Sequence, residues 1–213
     1  IYPDTVNIRG YKPSTGVHIG QLKRGIDLLK HAKRPLFLIG GGVTIAHAHD
    51  QLTDLVNQTH IPVVTTIMGK GAIDTDHPYY IGNIGMHGTY AGNMAISNCD
   101  VLFSIGTRFS DRVTGKISDF AKHAKIVHID IDSSSISRNI VVDVPIVADA
   151  KEAIVAMQRY VKEYDTAQWM EEIHAWDREH PLHMKKGRGI TPEAIIDAVS
   201  EHKENAIVVT DVG

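Results

Sequence analysis

Six short clusters, four of them built on glycine and two on strand-end acids, each follow an apolar run or lie in the loop after one. Gly40-Gly41-Gly42 follows Leu36-Phe37-Leu38-Ile39 and precedes a helical stretch. Its backbone, free of Cβ atoms, can approach a phosphate at the positive end of a helix dipole, although a tight strand-to-helix turn accounts for the same glycines. The full Gly-x-Gly-x-x-Gly dinucleotide pattern is not met, because Ile45 stands at the last glycine. Thr66-Ile67-Met68-Gly69-Lys70-Gly71 and Gly85-Met86-His87-Gly88-Thr89 are glycine-flanked loops that bend against a ligand, or else carry an apolar plug and a surface histidine. Gly106-Thr107-Arg108-Phe109-Ser110-Asp111-Arg112 offers a guanidinium that can grip a phosphate bidentately, a ring and a second charge pair. The plain alternative for Asp111 and Arg112 is a surface ion pair of little energetic weight. His128-Ile129-Asp130-Ile131-Asp132 ends a strand with two carboxylates on one side of the pleat, where dinucleotide folds hold a ribose or adenine. Helix capping fits Asp132 better than Asp130, and it is also the simpler reading of Asp149 in Ala148-Asp149-Ala150.

The elements that must position these clusters alternate. Apolar residues Ile19, Leu22, Ile26 and Leu29 recur at helical spacing, so residues 19–32 read as an amphipathic helix. Strand-like runs at 36–39, 61–65, 101–105, 125–129 and 145–148 then alternate with helical stretches at 46–58, 90–98 and 150–163. The strand runs are continuously apolar, which demands burial on both faces: a parallel sheet covered by helices, in a doubly wound α/β, Rossmann-like fold. In such sheets ligands bind at the carboxyl ends of the strands, where the clusters fall. Residues 1–18 read as a linker, 19–163 as a nucleotide-binding domain, and 164–189, rich in Trp, His and charge, as a connecting arm. Residues 190–213 restart the alternation with a helix from Thr191-Pro192-Glu193 through His202 and a strand at 206–209, the truncated start of a second domain.

With 213 residues, 43% of them hydrophobic, and a formal charge of −3, the chain can bury a core without covalent staples. The scattered Lys and Arg give no electrostatic footprint for nucleic acid. No apolar run approaches the length of a membrane span. Cys99 is the sole cysteine and sits in an apolar run, so it reads as a core residue in a reducing, cytoplasmic compartment. Thirteen histidines raise the question of metal, but neither His47/His49 nor His180/His183 has ligand spacing.

Taken in order, Gly40-Gly41-Gly42, Met68-Gly69-Lys70-Gly71, Gly85-Met86-His87-Gly88-Thr89, Arg108-Phe109-Ser110-Asp111-Arg112 and His128-Ile129-Asp130-Ile131-Asp132 resemble the central domain of the acetolactate (acetohydroxyacid) synthase large-subunit family. The resemblance runs over residues 6–161, and 190–213 resembles the start of that family's thiamine-diphosphate-binding domain. It implies a homodimeric or tetrameric transferase of branched-chain amino-acid biosynthesis, with thiamine diphosphate, Mg²⁺ and FAD as cofactors and a small regulatory subunit as a further partner. Such an enzyme condenses pyruvate with a second pyruvate or with 2-oxobutyrate, with loss of CO₂, while FAD undergoes no net redox change.

Carried over by position, the resemblance places FAD along Gly41, Thr66, Ile67, Met68 and Gly69, then Ile84, Gly85, Met86 and His87, then Gly106, Thr107, Arg108, Phe109 and Ser110. Asp130, Ile131, Asp149 and Ala150 fall toward the nucleotide end. Asp111 and Arg112 match the pair at the mouth of the substrate channel, where the arginine attracts an anionic 2-oxoacid. The family usually reads Arg-Phe-Asp-Asp-Arg, and Ser110 replaces the first Asp, so one carboxylate contact is lost. The resemblance puts the catalytic glutamate and the Mg²⁺ motif outside this sequence. On the residues alone, a free-standing module for NAD or an adenine nucleotide stays open, as does the central domain of another thiamine enzyme, including a flavin-free one.

Overall fold

The computed structural model describes residues 16–182, 189–202 and 207–209. The chain divides into two compact units, Ile1–Pro181 and Leu182–Gly213.

In the first unit six parallel strands form one sheet: β1 (Pro35–Ile39), β2 (Val63–Thr65), β3 (Tyr80–Asn83), β4 (Val101–Ile105), β5 (Lys125–Asp130) and β6 (Val144–Val147). Their spatial order is β3-β2-β1-β4-β5-β6, with the chain reversing direction of growth between β1 and β4. The register explains the unbroken apolar runs. Phe37, Phe103 and Val127 are in line on one face, and Leu36, Leu102 and Ile126 on the other. The central strands β2, β1, β4 and β5 therefore alternate between two buried cores, while the edge strands are only half-buried. The first core packs under helices α1 (Ile19–Leu29), α3 (His49–Thr59) and α6 (Ala150–Gln158). The second packs under α4 (Tyr90–Asn98) and α7 (Ala167–Glu179). Gly25 lets α1 lie close on the sheet, since a Cβ there would stand 3.1 Å from Val127 Cγ1 and 3.2 Å from Phe103 Cζ.

Three features depart from the sequence expectations. The helix expected over 46–58 is α3, which starts only at His49; an unanticipated one-turn α2 (Gly41–Ile45) precedes it, and the two are separated where His47 takes a left-handed φ of 51°. A strand not anticipated, β3, forms the sheet edge despite Gly82 and Asn83; its pairing to β2 is irregular between Val63 and Val64. Within the stretch expected as an arm, α7 is docked: Trp169 is buried, its Nε1 donates to the Pro35 carbonyl at 3.0 Å, and Trp176 packs edge-on at 5.7 Å. Arg34 braces this contact, lying over the Trp169 ring and pairing with Glu172 at 2.8 Å. The remaining helix of this unit, α5 (Asp111–Thr114), is a single turn after β4. Cys99 is buried, its Sγ donating to the Ile96 carbonyl at 3.2 Å, and burial pushes the thiol up to about 12.

In the second unit α8 (Pro192–His202) begins as expected, with Thr191 Oγ1 accepting from the Ala194 N–H at 3.3 Å. Of the strand expected over 206–209, Ile207–Val209 carry no regular structure and Ala206 lies outside the described residues, as do the reading of 1–15 as linker and His183.

Candidate cofactor-binding site

Because every strand is parallel, all the clusters fall on one edge of the sheet in spatial sequence. Crossing from β3 to β6, they are Ile84–His87, Thr66–Gly69, Gly41, Gly106–Arg112, Asp130 with Ile131, and Asp149 with Ala150. Six strands at about 4.8 Å spacing make this edge about 24 Å long. At its centre the connections leave β1 and β4 in opposite directions, which opens the crevice where such sheets bind ligands.

Glycine is required where the loops meet one another. Gly42 N–H donates to the Gly106 carbonyl at 3.0 Å, and a Cβ on Gly40 would stand 2.2 Å from the same oxygen. A Cβ on Gly69 would stand 2.2 Å from the Ile39 carbonyl. Gly40, Gly42, Gly69 and Gly106 thus pack loop against loop. Gly41 differs: it is half-buried, with Met68 Cβ 3.0 Å from where its own Cβ would be. The helix it opens has one turn, so any dipole contribution there is small. Beside it Ile67 and Met68 are largely exposed, and Met86 and Ile131 expose apolar surface along the same edge.

The loops after β3 and β4 are tied together. Gly85, at φ 97°, has no room for a side chain, since a Cβ would lie 2.4 Å from the Arg112 carbonyl. Met86 N–H donates to that carbonyl at 3.0 Å, Arg112 Nη1 reaches Met86 Sδ at 3.9 Å, and Asn93 holds both N–H and C=O of Gly85. Asp111 and Arg112 line a cavity of about 450 Å³ with Met86, Lys116 and Phe120. Arg112 N–H donates to Asp111 Oδ1 at 3.0 Å, while among the described residues its guanidinium has no carboxylate partner.

Between β4 and β5 the arrangement is more rigid. Phe109 is buried at φ 50°, its ring edge-on to His128 at 4.8 Å and to Phe120 at 5.8 Å. Arg108 and Ser110 on either side are exposed, and Arg108 has no ion pair among the described residues. Asp130 is 8% exposed, its Oδ1 accepting the Asp132 N–H at 2.9 Å and its Oδ2 lying 3.8 Å from His128 Nε2. Burial pushes its carboxyl above the ordinary range, against the pull of the Asp132 N–H, His128 and Arg108. Asp132 does local work, its carboxylate held low by Ser134 and Ser135. Asp149 caps α6, with Oδ1 accepting from Lys151 N–H at 2.8 Å and Glu152 N–H at 3.2 Å.

Two residues that composition and spacing did not single out as site residues, His128 and Asn139, grip the same turn. His128 Nε2–H donates to the Thr107 carbonyl at 2.8 Å, which fixes the tautomer, and burial pushes the imidazole below its ordinary range. Asn139 Nδ2 donates to the carbonyls of Arg108 at 3.1 Å and Phe109 at 3.0 Å. The available signal was parity. His128 lies in line with Ser104 on the face where the other strand residues are apolar, and both keep a buried polar atom unpartnered among the described residues.

A strand-end crevice, bare glycine backbone, an apolar rim, an exposed guanidinium and a strand-end acid thus share one edge of a doubly wound α/β module. Residues 22–157 match the family described as thiamine pyrophosphate enzyme, central domain, and the chain belongs to that family. It is 42% identical over 231 residues to the probable acetolactate synthase large subunit of Methanococcus aeolicus, covering 99% of this chain and 38% of that protein. It is 36% identical over 225 residues to the acetolactate synthase isozyme 3 large subunit of Escherichia coli K12, covering 100% of this chain and 39% of that protein. The large subunit of Pyropia yezoensis is 37% identical over 220 residues, covering 100% of this chain and 37% of that protein. The chain therefore spans less than two fifths of the length of these curated relatives. No helix among the described residues is long and apolar enough to cross a membrane.

Proposed function

We propose that this chain is the FAD-binding central portion of an acetolactate synthase large subunit, followed by the first residues of its thiamine-diphosphate-binding domain. The observation that carries the reading is the ordered row of clusters on one sheet edge. The residues placed along FAD by resemblance stand there in spatial sequence and frame the crevice at β1 and β4. They fit such a ligand. Ile67, Met68, Met86 and Ile131 offer apolar surface to a ring system, Gly41 offers half-buried backbone packed against Met68, and Arg108 offers a positive charge with no ion pair among the described residues. Asp130 supplies an acceptor for hydroxyl groups at the nucleotide end. Asp149 and Ala150 lie further along, with Asp149 Oδ1 engaged in its cap. Bound here, FAD would undergo no net redox change. Arg112, on its cavity with Asp111, draws in the carboxylate of pyruvate or 2-oxobutyrate. Thiamine diphosphate, Mg²⁺, the self-association of subunits and a regulatory subunit belong to the whole enzyme.

A chimaera tests the whole-protein reading. The matching stretch of the Escherichia coli isozyme 3 large subunit is replaced by this chain, and acetolactate formation from pyruvate is assayed. Activity dependent on added FAD and thiamine diphosphate is expected, and the Arg112→Ala chimaera is expected to show a raised KM for pyruvate. A folded chimaera that binds NAD in place of FAD would overturn the reading.

A further inference from the structure

The turn that carries Arg108 is held from outside itself at three consecutive carbonyls. Thr107 O accepts from His128 Nε2–H at 2.8 Å, and Arg108 O and Phe109 O accept from Asn139 Nδ2 at 3.1 and 3.0 Å. The donors stand on β5 and on the loop that follows it, 21 to 31 residues away in sequence. Three features show that the grip is needed. Phe109 sits at φ 50°, a conformation costly for an aromatic residue and kept only where surroundings over-determine it. Its ring is wedged edge-on between His128 and Phe120. Among the described residues the N–H groups of Arg108, Phe109 and Ser110 have no acceptor, so the turn has no hydrogen-bond ladder of its own.

We propose that His128 and Asn139 are positioning residues of the cofactor site: they clamp the carbonyls of the Thr107–Phe109 turn and so fix its uncommitted N–H groups and the Arg108 guanidinium for the acceptor atoms of the ligand. The proposal rests on the reading of this edge as the FAD site and adds to it the two side chains that preorganise it. Preorganisation of this kind raises affinity by removing the ordering cost of the loop at the moment of binding. The clamp is strongest where it is driest. His128 is fully buried and can give its single proton only to Thr107 O, whereas Asn139 is exposed and can be altered without opening the core.

The test uses the 213-residue chain with Asn139→Ala and Asn139→Asp, the second nearly isosteric but without the amide donor. Tryptic cleavage of the Arg108–Phe109 bond is followed by mass spectrometry, FAD affinity by titration, and the fold by thermal unfolding. Both variants are expected to be cut after Arg108 about tenfold faster, the change in local opening that loss of ordinary hydrogen bonds produces. FAD affinity is expected to fall by about the same factor, with the thermal midpoint within about 2 °C of the parent. His128→Gln, which keeps an amide donor, should stay near the parent, and His128→Leu should behave like Asn139→Ala. If His128→Leu does not fold, the Asn139 pair decides. Unchanged cleavage after Arg108 in both Asn139 variants overturns the clamp, and so does a loss of affinity matched by a general loss of stability. A parent chain that binds no FAD shows that the pocket needs the rest of the large subunit, and the cleavage result then decides the clamp.

Discussion

Gly40 and Gly106 stand so close that a Cβ on Gly40 would meet the Gly106 carbonyl oxygen at 2.2 Å, with Thr107 Cβ at 2.7 Å. The loops after β1 and β4 are thereby welded at the point where the sheet reverses its direction of growth. Gly40→Ala is expected to destabilise the chain by about 2 kcal/mol or more, since the obstacle is backbone and cannot swing aside. Gly71→Ala is the control: it is strained by φ 83° but has open space around it, and should cost about 1 kcal/mol. Urea unfolding compares them, and equal midpoints would show that the two loops are not packed as described.

Trp169 joins α7 to the sheet through burial and its bond to the Pro35 carbonyl. Trp169→Ala is expected to cost about 3–5 kcal/mol, the range for removing a buried large aromatic. Glu171→Ala, at an exposed ion pair with Arg178, should change stability by less than about 0.5 kcal/mol. If Trp169→Ala leaves the unfolding midpoint unchanged, α7 is not part of this domain's core.

Asp130 sets up a trade between stability and binding. Its carboxyl is pushed above the ordinary range by burial, so the native state holds that proton more tightly than the unfolded chain. Stability contributed by the protonated form is full below the ordinary carboxylate pKa and is lost as pH rises through the raised native value. Asp130→Asn should therefore raise the urea midpoint at neutral pH, with the Asp132 N–H still accepted by the amide oxygen, and should weaken FAD binding. A lowered midpoint at neutral pH would contradict this assignment.

The buried imidazole acts with the opposite sign. His128 is pushed below its ordinary value, so the unfolded chain takes up a proton first as pH falls. Its contribution is intact above about 6.5 and is lost as pH drops from there toward the depressed native value. In the Asp130→Asn chain, where the neighbouring carboxylate no longer titrates, the unfolding midpoint should fall between pH 7 and pH 5.5. His77 shifts in the same direction near the surface, so the measurement is made in a His77→Asn background. A flat profile would mean that His128 is accessible to water.

Much of the fold was legible because apolar parity is a local signal. Leu36–Ile39, Val101–Ile105 and Lys125–Ile129 declare strands buried on both faces, and the clusters after them fall on one edge once the strands are parallel. β3 was not legible, since Tyr80-Ile81-Gly82-Asn83 is short, half-buried and interrupted by glycine. Nor was the docking of α7, whose anchor at Pro35 lies 134 residues away. The candidate site divides in the same manner. Gly41, Arg108 and Asp130 stand out by type and position, whereas His128 and Asn139 gain their importance only from carbonyls brought to them by the sheet.

The most direct measurement is a titration of the purified chain with FAD, followed by flavin fluorescence quenching, with NAD as competitor and Arg108→Ala beside the parent. Saturable FAD binding that NAD does not displace, weakened about tenfold or more by loss of the Arg108 charge, is the expected result. FAD affinity unaltered in Arg108→Ala, or NAD bound in preference, would contradict the assignment of this sheet edge as a flavin site.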